Sequence, residues 1–339
     1  MPRYLAAPDS FKGTFDATAV ARAIVRGVVA GGGEGDPCPV ADGGEGTMDV
    51  LLAGLGGERL DAKAHDPLGR PIEAAFALLE DGNTAVVEVA QASGLGLVAP
   101  GERDPERAST SGTGELIAAA IEAGARRVLV AAGGSATTDG GAGAVGAIEA
   151  RGGLRGAALE VICDVHTPFE RAAEVFGPQK GAEPEAIRRL TERLQIQARA
   201  LSRDPTGVPM SGSAGGLSGG LWAAFDARLR PGAAFVLEAI GFNTRIRDAA
   251  GVISGEGRLD EQSLHGKVVS AVAERCRAAG VDLHLIVGRS DLAPERLSRL
   301  LVASVQEAQT LEAIAFAATR IAAGAPARDA AGRPARRKP

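Results

Sequence analysis

The chain has 339 residues, which is enough for two domains, because single hydrophobic cores rarely grow beyond about 250 to 300 residues. Its formal net charge of -5 argues against general electrostatic attraction to nucleic acid or anionic lipid, so small molecules are the expected partners. The cysteines form no CxxC pair and no stretch reaches the roughly 20 apolar residues of a membrane span, which predicts a soluble cytoplasmic protein with reduced thiols. The oligomeric state is open, with a homodimer as one candidate.

The opening of the chain predicts alternating strands and helices. Arg3 to Ala7 is a predicted buried strand, and apolar residues then recur at helical spacing from Ala17 to Val28. Asp36 to Val40 is a second predicted strand, and Met48 to Leu55 is a second predicted helix. Such a βαβα order predicts a parallel sheet.

The middle of the chain changes pattern at about Asp61. Alternating residues around Asp81-Gly82 predict an antiparallel hairpin, so a second domain is expected to begin here. The further predicted elements are a helix from Gly114 to Gly124 capped by Thr113, strands at Arg127 to Ala132 and Leu159 to Cys163, a helix from Glu183 to Ser202, and a flexible loop from Ser211 to Gly220.

The last third returns to βα alternation from about Ala234. Its predicted elements are a strand at Ala250 to Ser254, a helix at Lys267 to Ala279, a strand at Leu283 to Val287 and a helix at Leu311 to Ala322. We therefore predict an α/β fold with two domains: a discontinuous Rossmann-like parallel-sheet domain of residues 1–61 and 234–323, and an inserted mixed α/β domain of residues 62–233. Residues 324–339 are a predicted disordered tail.

One Gly-rich acidic turn occurs twice, as DGGEG at Asp42 to Gly46 and as DGGAG at Asp139 to Gly143, each time before a helical stretch. Glycines let the backbone approach a ligand closely, and the N–H groups at a helix start favour anionic oxygens. An aspartate at the mouth of such a turn adds a metal ligand or a proton acceptor. The two turns therefore predict binding of phosphate together with a divalent cation.

Two further loops carry candidate site residues. PDSFKGT places Asp9, Ser10 and Lys12 after the first strand, where open α/β sheets bind ligands, although a helix cap is an equally weighted alternative. GEGRLDEQSLHGK, residues 255–267, combines many charges with three glycines, which favours a site over a solvated loop. Asp164 follows a predicted strand and Lys180 lies in a Gly/Pro turn, with a cap and a solvated loop tip as their alternatives.

The segment AAGGSATTDGGAGAVG, residues 131–146, presents hydroxyls beside backbone amides, as phosphate cradles do. It has no P-loop pattern, but Gly141, Gly143 and Gly146 match GxGxxG and Asp164 follows the next strand, which keeps a dinucleotide-binding alternative open. Against this alternative, about seven residues separate the strand from the first of these glycines, whereas that fingerprint needs a tight turn directly after the strand.

Several long motifs, taken in order, strongly resemble the bacterial type 1 glycerate kinase family. They are APDSFKGT, ADGGEGT, PLGR, EVAQASGL, STSGTGELI, GGSATTDGGAG, CDV, FGPQKGA and SGEGRLDEQSLHGK, and they span about Ala7 to Val287. The resemblance implies ATP-dependent phosphorylation of D-glycerate, usually at the 2-hydroxyl, by two α/β domains. The chain departs from the family pattern at Thr138, where Asn is usual, after CDV, and between Gly146 and Leu159, where it is shorter.

On this basis we predict roles for individual residues, with ATP and Mg2+ as cofactors. Catalytic roles go to Asp9, Lys12, Asp42 and Lys267, substrate binding to Ser10, Glu45, Glu256, Arg258 and Asp260, nucleotide binding to Gly133, Gly134, Ser135, Thr137, Asp139 and Lys180, and metal binding to Asp139 and Asp164. Either Asp42 or Asp9 is expected to orient the hydroxyl, and either Lys12 or Lys267 to stabilise the transferring phosphate. Arg258 is expected to bind the glycerate carboxylate, because a guanidinium fork matches two oxygens.

Three alternatives to this function stay open. A glycerate 3-kinase would use the same pocket with the glycerate rotated. An NAD-dependent oxidoreductase would use the GxGxxG glycines and Asp164. A non-catalytic sensor of a small phosphorylated acid would need the binding loops but not the carboxylates.

Overall fold

A computed structural model describes residues 1–264, 267–293, 296, 300 and 302–324. The predicted tail beyond Gly324 and two residues of the 255–267 motif lie outside this part of the chain. The chain divides into two compact units, one formed by Met1–Ala41 with Val236–Pro339 and the other by Asp42–Phe235. The fold class is α/β, with one five-stranded parallel sheet, one six-stranded mixed sheet and one parallel pair of two short strands.

The strands in the described residues are β1 (Arg3–Ala6), β2 (Glu34–Pro37), β3 (Gly57–His65), β4 (Pro71–Leu79), β5 (Thr84–Glu88), β6 (Arg127–Ala131), β7 (Ala158–Cys163), β8 (Arg228–Pro231), β9 (Gly251–Ser254), β10 (Arg258–Leu259), β11 (Asp282–Val287), β12 (Arg289–Ser290) and β13 (Ser304–Glu307). The helices are α1 (Ala17–Ala30), α2 (Thr47–Leu55), α3 (Val89–Ser93), α4 (Ser111–Glu122), α5 (Ala142–Ala150), α6 (Ala172–Phe176), α7 (Pro184–Ala200), α8 (Leu217–Phe225), α9 (Gly232–Ala239), α10 (Phe242–Arg245), α11 (Val268–Ala279) and α12 (Leu311–Ala323).

The first unit is built on a parallel sheet with the strand order β13-β11-β9-β1-β2. The chain passes from β1 to β2 on one side and later returns to β9 on the other side of β1. From β9 the chain passes on to β11, away from β1, so the connections that follow these two neighbouring strands lead to opposite edges of the sheet. This arrangement is a topological switch point, the place where open α/β sheets bind ligands.

Helices α1 and α12 pack closely beside this sheet. Asp16 caps α1 by accepting a hydrogen bond from the N–H of Ala19 at 2.7 Å, and apolar residues then follow at helical spacing. Gly27 makes the close approach, because a Cβ there would lie 2.0 Å from the carbonyl oxygen of Ala315. The hydroxyl of Thr319 donates to the Gly27 carbonyl at 3.0 Å, so the helices are joined by a polar contact as well as by packing.

The second unit is built on a mixed sheet with the strand order β3-β4-β5-β6-β7-β8. The predicted hairpin is confirmed, because β4 and β5 pair antiparallel and Asp81 accepts hydrogen bonds from the N–H groups of Asn83 and Thr84. Strands β5 to β8 are parallel. This compact unit begins at Asp42, before the predicted boundary near residue 61, and it includes β3, which pairs with β4 along its whole length.

Some sequence predictions of local structure were wrong. The predicted flexible loop from Ser211 to Gly220 is buried throughout and contains a 3-10 turn at Ser213–Gly216 followed by α8. Its glycines allow close packing, since a Cβ at Gly219 would lie 2.4 Å from the ring of Phe169. Thr113 does not cap α4, which begins after Thr110, and its buried hydroxyl donates to Ser93 at 2.7 Å.

Two smaller differences concern strand β2 and the shortened region. The second strand, Glu34–Pro37, begins two residues before the predicted Asp36 to Val40. Between α5 and β7 the chain uses only a tight run of turns, in which Gly152, Gly153 and Gly156 have positive φ. None of the helices in the part of the chain that the structure describes has the length and apolar character needed to span a bilayer.

Candidate active site

The switch-point site consists of the loops after β1 and β9 in the first unit, with Asp9, Ser10 and Lys12 on one and Glu256 to Asp260 on the other. The N–H of Asp9 donates to the Gly255 carbonyl at 2.8 Å, which extends the strand pairing into the loops. A Cβ at Gly257 would lie 3.3 Å from the N of Lys12, so the loops run in close contact. Lys267 stands directly before α11.

Two buried carboxyl groups share the switch-point site with Lys12 and Lys267. Asp9 and Glu256 are 6% and 9% exposed, respectively. Burial raises the pKa of Glu256, while a hydrogen bond with Ser263 and the charges of Lys267 and Lys12 oppose that rise. A carboxyl placed among lysines in this way can bind or deprotonate a polar substrate group.

Arg258 is tied to other protein groups. Its Nε donates to Asp291 at 2.6 Å, and Arg289 also binds this carboxylate. Arg258 lies 4.0 Å from Asp260, whose Oδ1 accepts the N–H of Gln262. The structure therefore brings the predicted substrate residues of this loop together, but its geometry gives no contact that assigns Arg258 to a substrate carboxylate, and that role stays a prediction.

The glycine-turn site consists of the turns Asp42–Gly46 and Gly133–Asp139 in the second unit. The two turns touch, because a Cβ at Gly133 would lie 2.4 Å from the Cα of Gly44. A Cβ at Gly43 would lie 2.7 Å from the carbonyl oxygen of Ile162, so the first turn lies over the carboxyl end of β7. Asp42 accepts the N–H of Gly44 at 3.0 Å, and Glu45 is exposed.

Glu88 holds the first turn from inside and was missed by sequence reasoning. Its carboxylate, 2% exposed at the end of β5, accepts the N–H of Met48 at 2.7 Å in the first turn of α2. Burial raises the pKa of Glu88, although this hydrogen bond and one from the N–H of Gly46 lower it. The sequence signal was an acid at the end of the apolar run in TAVVEVAQASG, but its partners lie far away in the sequence.

Lys180 holds the second turn from inside. Its side chain is 2% exposed, and Nζ donates to the Ser135 hydroxyl at 2.9 Å and to the Thr137 carbonyl. Burial lowers the pKa of Lys180 to about 7, and the charge of Asp139 partly opposes this shift. The solvated loop tip, which was the alternative for Lys180, is therefore wrong.

The two predicted metal ligands are both engaged with the backbone. Asp139 accepts four hydrogen bonds, from the N–H groups of Thr110, Gly141 and Gly143 and from the Thr110 hydroxyl. Four is about the number that a carboxylate can accept. Both oxygens of Asp164 lie 3.1 Å from the N of Ala233. Among described residues, no group of three or more His, Cys, Asp or Glu side chains is arranged to hold a metal ion.

The GxGxxG glycines do not form a dinucleotide-binding turn. Gly141 caps the start of α5 and lies ten positions after Ala131, the last residue of β6. A Cβ at Gly143 would lie 2.2 Å from the Ser109 hydroxyl, and the N–H of Gly143 bonds Asp139. Gly141 and Gly143 serve close packing at the start of α5, whereas Gly146 faces open space, and the expected strand-turn-helix geometry is unmet.

The fold and the two sites define an α/β protein that carries charged and glycine-rich loops at the carboxyl ends of parallel strands, where α/β folds bind their ligands. The glycerate kinase family model matches residues 4–153 and 149–325. The two matches meet at the place where the chain looked shortened. The chain belongs to the glycerate kinase family, and the resemblance inferred from the motifs is confirmed.

Individual relatives agree with this assignment. The glycerate kinase of Halalkalibacterium halodurans is 40% identical over 319 residues, covering 83% of this chain and 84% of the relative. The glycerate 2-kinase of Escherichia coli is 38% identical over 304 residues, covering 79% and 80%. A solved structure assigned as glycerate kinase 2 from Salmonella typhimurium is 34% identical, covers 95% of this chain and 97% of that chain, and has a TM-score of 0.81.

Proposed function

We propose that this chain is an ATP-dependent kinase that phosphorylates D-glycerate at the 2-hydroxyl and gives 2-phosphoglycerate and ADP in the cytoplasm. The observation that carries the proposal is the switch-point site, where Asp9 and Glu256 are buried next to Lys12 in a chain of the glycerate kinase family. The name glycerate 2-kinase of the Escherichia coli relative supports the choice of hydroxyl. We also propose that the two compact units are the domains of this enzyme, the first discontinuous and Rossmann-like.

The proposed reaction is an in-line displacement. The 2-hydroxyl oxygen of glycerate forms a bond to the γ-phosphorus as the bond to the bridging oxygen of ADP breaks. The hydroxyl proton passes to a carboxylate, for which Asp9 and Asp42 are the candidates. Lys12 or Lys267 donates to the oxygens of the transferring phosphoryl group, where charge must be stabilised in the transition state.

The proposed nucleotide site is the glycine-turn site. The backbone N–H groups around Gly133, Gly134 and Ser135 are assigned to the nucleotide phosphates, as in other glycine-rich anion sites. Lys180 supports this turn from its buried side, since its donors already serve Ser135 and Thr137. We therefore assign Lys180 to positioning of the turn, and not to direct contact with ATP.

Magnesium is proposed to accompany ATP and to neutralise charge on the phosphate oxygens when bound. Mg2+ commonly uses one or two carboxylates together with phosphates and waters, so the lack of a larger ligand group in the described chain fits such a site. Asp164, at the end of β7, is the proposed protein ligand. Asp139 fits less well, because four hydrogen bonds occupy its carboxylate.

The proposal is tested by incubating the protein with MgATP and D-glycerate and identifying the phosphoglycerate isomer by phosphorus NMR. We expect 2-phosphoglycerate and ADP in equal amounts. Lys12→Met should lower kcat/KM about a hundredfold to a thousandfold if this lysine contacts the transferring phosphate. Lys63→Met, the same change on exposed strand β3, is the matched control and should leave kcat/KM unchanged.

Other outcomes separate the alternatives. Formation of 3-phosphoglycerate would reject the 2-hydroxyl assignment. Reduction of NAD without consumption of ATP would reject the kinase proposal, and tight binding of glycerate and ATP with no turnover would favour a sensor. Replacing Asp9 and Asp42 separately by Asn should identify the base, because only the variant that loses the proton acceptor loses kcat while keeping nucleotide affinity.

A further inference from the structure

Glu256 has a buried oxygen to which no group in the described part of the chain donates a hydrogen bond. Among the residues that the structure describes, no group donates to Glu256 Oε1, and it is the one carboxylate oxygen in this condition. The side chain is 9% exposed, so bulk water does not readily replace the missing donor. Proteins rarely leave buried acceptors unsatisfied, because the desolvation of the group is then uncompensated.

The backbone around Glu256 is tightly packed, which fixes the point from which its side chain extends. A Cβ at Gly255 would lie 1.6 Å from the carbonyl oxygen of Ile286, which shows how tightly the preceding residue is packed. On the other side, the N–H of Gly288 donates to the carbonyl oxygen of Glu256 at 3.1 Å. A buried acceptor on such a tightly packed stretch of backbone is suited to select one donor on a ligand.

The chemistry of the proposed substrates identifies that donor. Glycerate has a carboxylate, which only accepts hydrogen bonds, and two hydroxyls. The 2-hydroxyl loses its proton in the proposed transfer, so the 3-hydroxyl is the glycerate group that can donate throughout the reaction. A hydroxyl that donates to a carboxylate forms a charge-assisted hydrogen bond, which is stronger than one between neutral groups.

We propose that Glu256 determines acceptor specificity by accepting, at Oε1, a hydrogen bond from the glycerate hydroxyl that is not phosphorylated. The inference rests on the proposed function, since it assigns that hydroxyl to the 3-position. Burial raises the pKa of Glu256 and Asp260 adds to that rise, whereas the hydrogen bond with Ser263 and the charges of Lys267 and Lys12 favour the ionised carboxylate. The substrate class is therefore a 2-hydroxy acid with a second hydroxyl, in contrast to a simple 2-hydroxy acid.

D-Lactate tests the assignment because it keeps the carboxylate and the 2-hydroxyl and lacks the 3-hydroxyl. A site that is built to bind a substrate hydroxyl rejects the analogue without it by about ten thousandfold or more in kcat/KM. We expect this discrimination in the wild type. Glu256→Ala should lower kcat/KM for D-glycerate and raise it at least about tenfold for D-lactate, since lactate no longer leaves a buried charge unpaired.

Two further variants make the test specific. Glu256→Gln keeps an acceptor oxygen in nearly the same shape and should retain more of the discrimination than Glu256→Ala. Glu274→Ala, on the exposed side of α11, is the matched control and should behave as the wild type with both acids. A gain of activity with D-lactate cannot arise from a misfolded variant.

The inference and the proposed function fail in different ways. Loss of activity by the same factor with D-glycerate and D-lactate in Glu256→Ala would give Glu256 a part in the chemical step and overturn the specificity role. A wild type that phosphorylates D-glycerate but prefers it less than about tenfold over D-lactate would also overturn that role. A wild type that transfers no phosphate to D-glycerate would overturn the proposed function itself.

Discussion

The side-chain nitrogen of Lys180 lies in the interior of the second unit, where burial favours the neutral amine over the ammonium ion. Desolvation lowers its pKa to about 7 from the ordinary value of 10.5. A neutral amine can still donate hydrogen bonds, so the contacts with Ser135 and Thr137 do not require the charge. These two contacts hold the turn that is the proposed phosphate-binding segment. The protonation of one side chain therefore links the stability of this turn to pH.

Stability is expected to rise with pH above about 7. Between the folded pKa of Lys180, about 7, and the ordinary value of 10.5, the unfolded chain binds a proton that the folded chain does not. The free energy of unfolding should therefore rise by up to about 1.4 kcal/mol per pH unit from this residue. Urea titrations between pH 7 and 8.5 should give a flatter profile for Lys180→Met than for the wild type.

Lys63→Met provides the control for this experiment, because Lys63 is exposed on β3. Its profile should run parallel to that of the wild type. Identical slopes for Lys180→Met and the wild type would mean that Lys180 stays protonated in the fold across this range. The cysteine thiols of the unfolded chain begin to titrate at the upper end of this window, but they are present in all three proteins, so their effect cancels when the profiles are compared.

Elements with one buried face were predictable from sequence, since apolar spacing is a local property. Helix α1 and the β4-β5 hairpin are examples. Edge strand β3 alternates Leu60, Ala62 and Ala64 with exposed residues, but the signal is weak because two of these three apolar residues are alanines, which are uncommon in strands. In Ser211–Gly220 the glycines indicated a loop, whereas they serve close packing against partners such as Phe169.

The sequence allowed the site to be predicted only as a set of loops at strand ends. The charged and glycine-rich loops were identified, because their composition is unusual for a solvated connection. The buried contacts that position them were not, since Glu88 bonds Met48 across 40 positions and Lys180 bonds Ser135 across 45. Such pairs form only in the folded chain, and nothing in the local sequence specifies them.

The packing of α1 on α12 predicts an unusual effect of a helical glycine. Gly27→Ala should destabilise the protein by about 1 to 3 kcal/mol, because the new methyl group would meet the Ala315 carbonyl at 2.0 Å. The matched control is Gly146→Ala in α5, where nothing lies within 4 Å of the added Cβ. That change should stabilise by about 0.5 to 1 kcal/mol, as alanine does in an open helix.

Chemical denaturation of both variants measures these two free energies. The signs should be opposite, because helix propensity acts alike at both sites and only Gly27 lacks space. Equal stabilisation by both substitutions would show that the α1-α12 contact accommodates the added methyl group with no loss in the free energy of unfolding. The comparison thus separates backbone propensity from close packing at the level of one helix pair.

At the scale of the whole chain, each unit has its own core and its own thiols. The core of the first unit includes Ile24, Ile253 and Ile314, and that of the second includes Leu116 and Val161. The cysteines are all buried, with Cys38 and Cys276 in the first unit and Cys163 in the second. Burial raises the thiol pKa to about 12, about 12 and about 11, respectively, so their reaction with an alkylating reagent should depend on opening of the fold.

The proposed division of ligands between the units predicts which thiols each ligand protects. MgATP, assigned to the glycine-turn site, should slow alkylation of Cys163 more than that of Cys38 and Cys276, and D-glycerate, assigned mainly to the switch-point site, should do the reverse. A ligand at 100 times its Kd adds about 2.7 kcal/mol to the stability of the unit it binds, which corresponds to about a hundredfold slower reaction. Peptide mapping after pulsed alkylation measures the three rates separately. Stronger protection of the first-unit thiols by MgATP would reverse the ligand assignment. Equal protection of all three thiols would mean that the two units open in one event, and the rates would then not distinguish which unit binds the ligand.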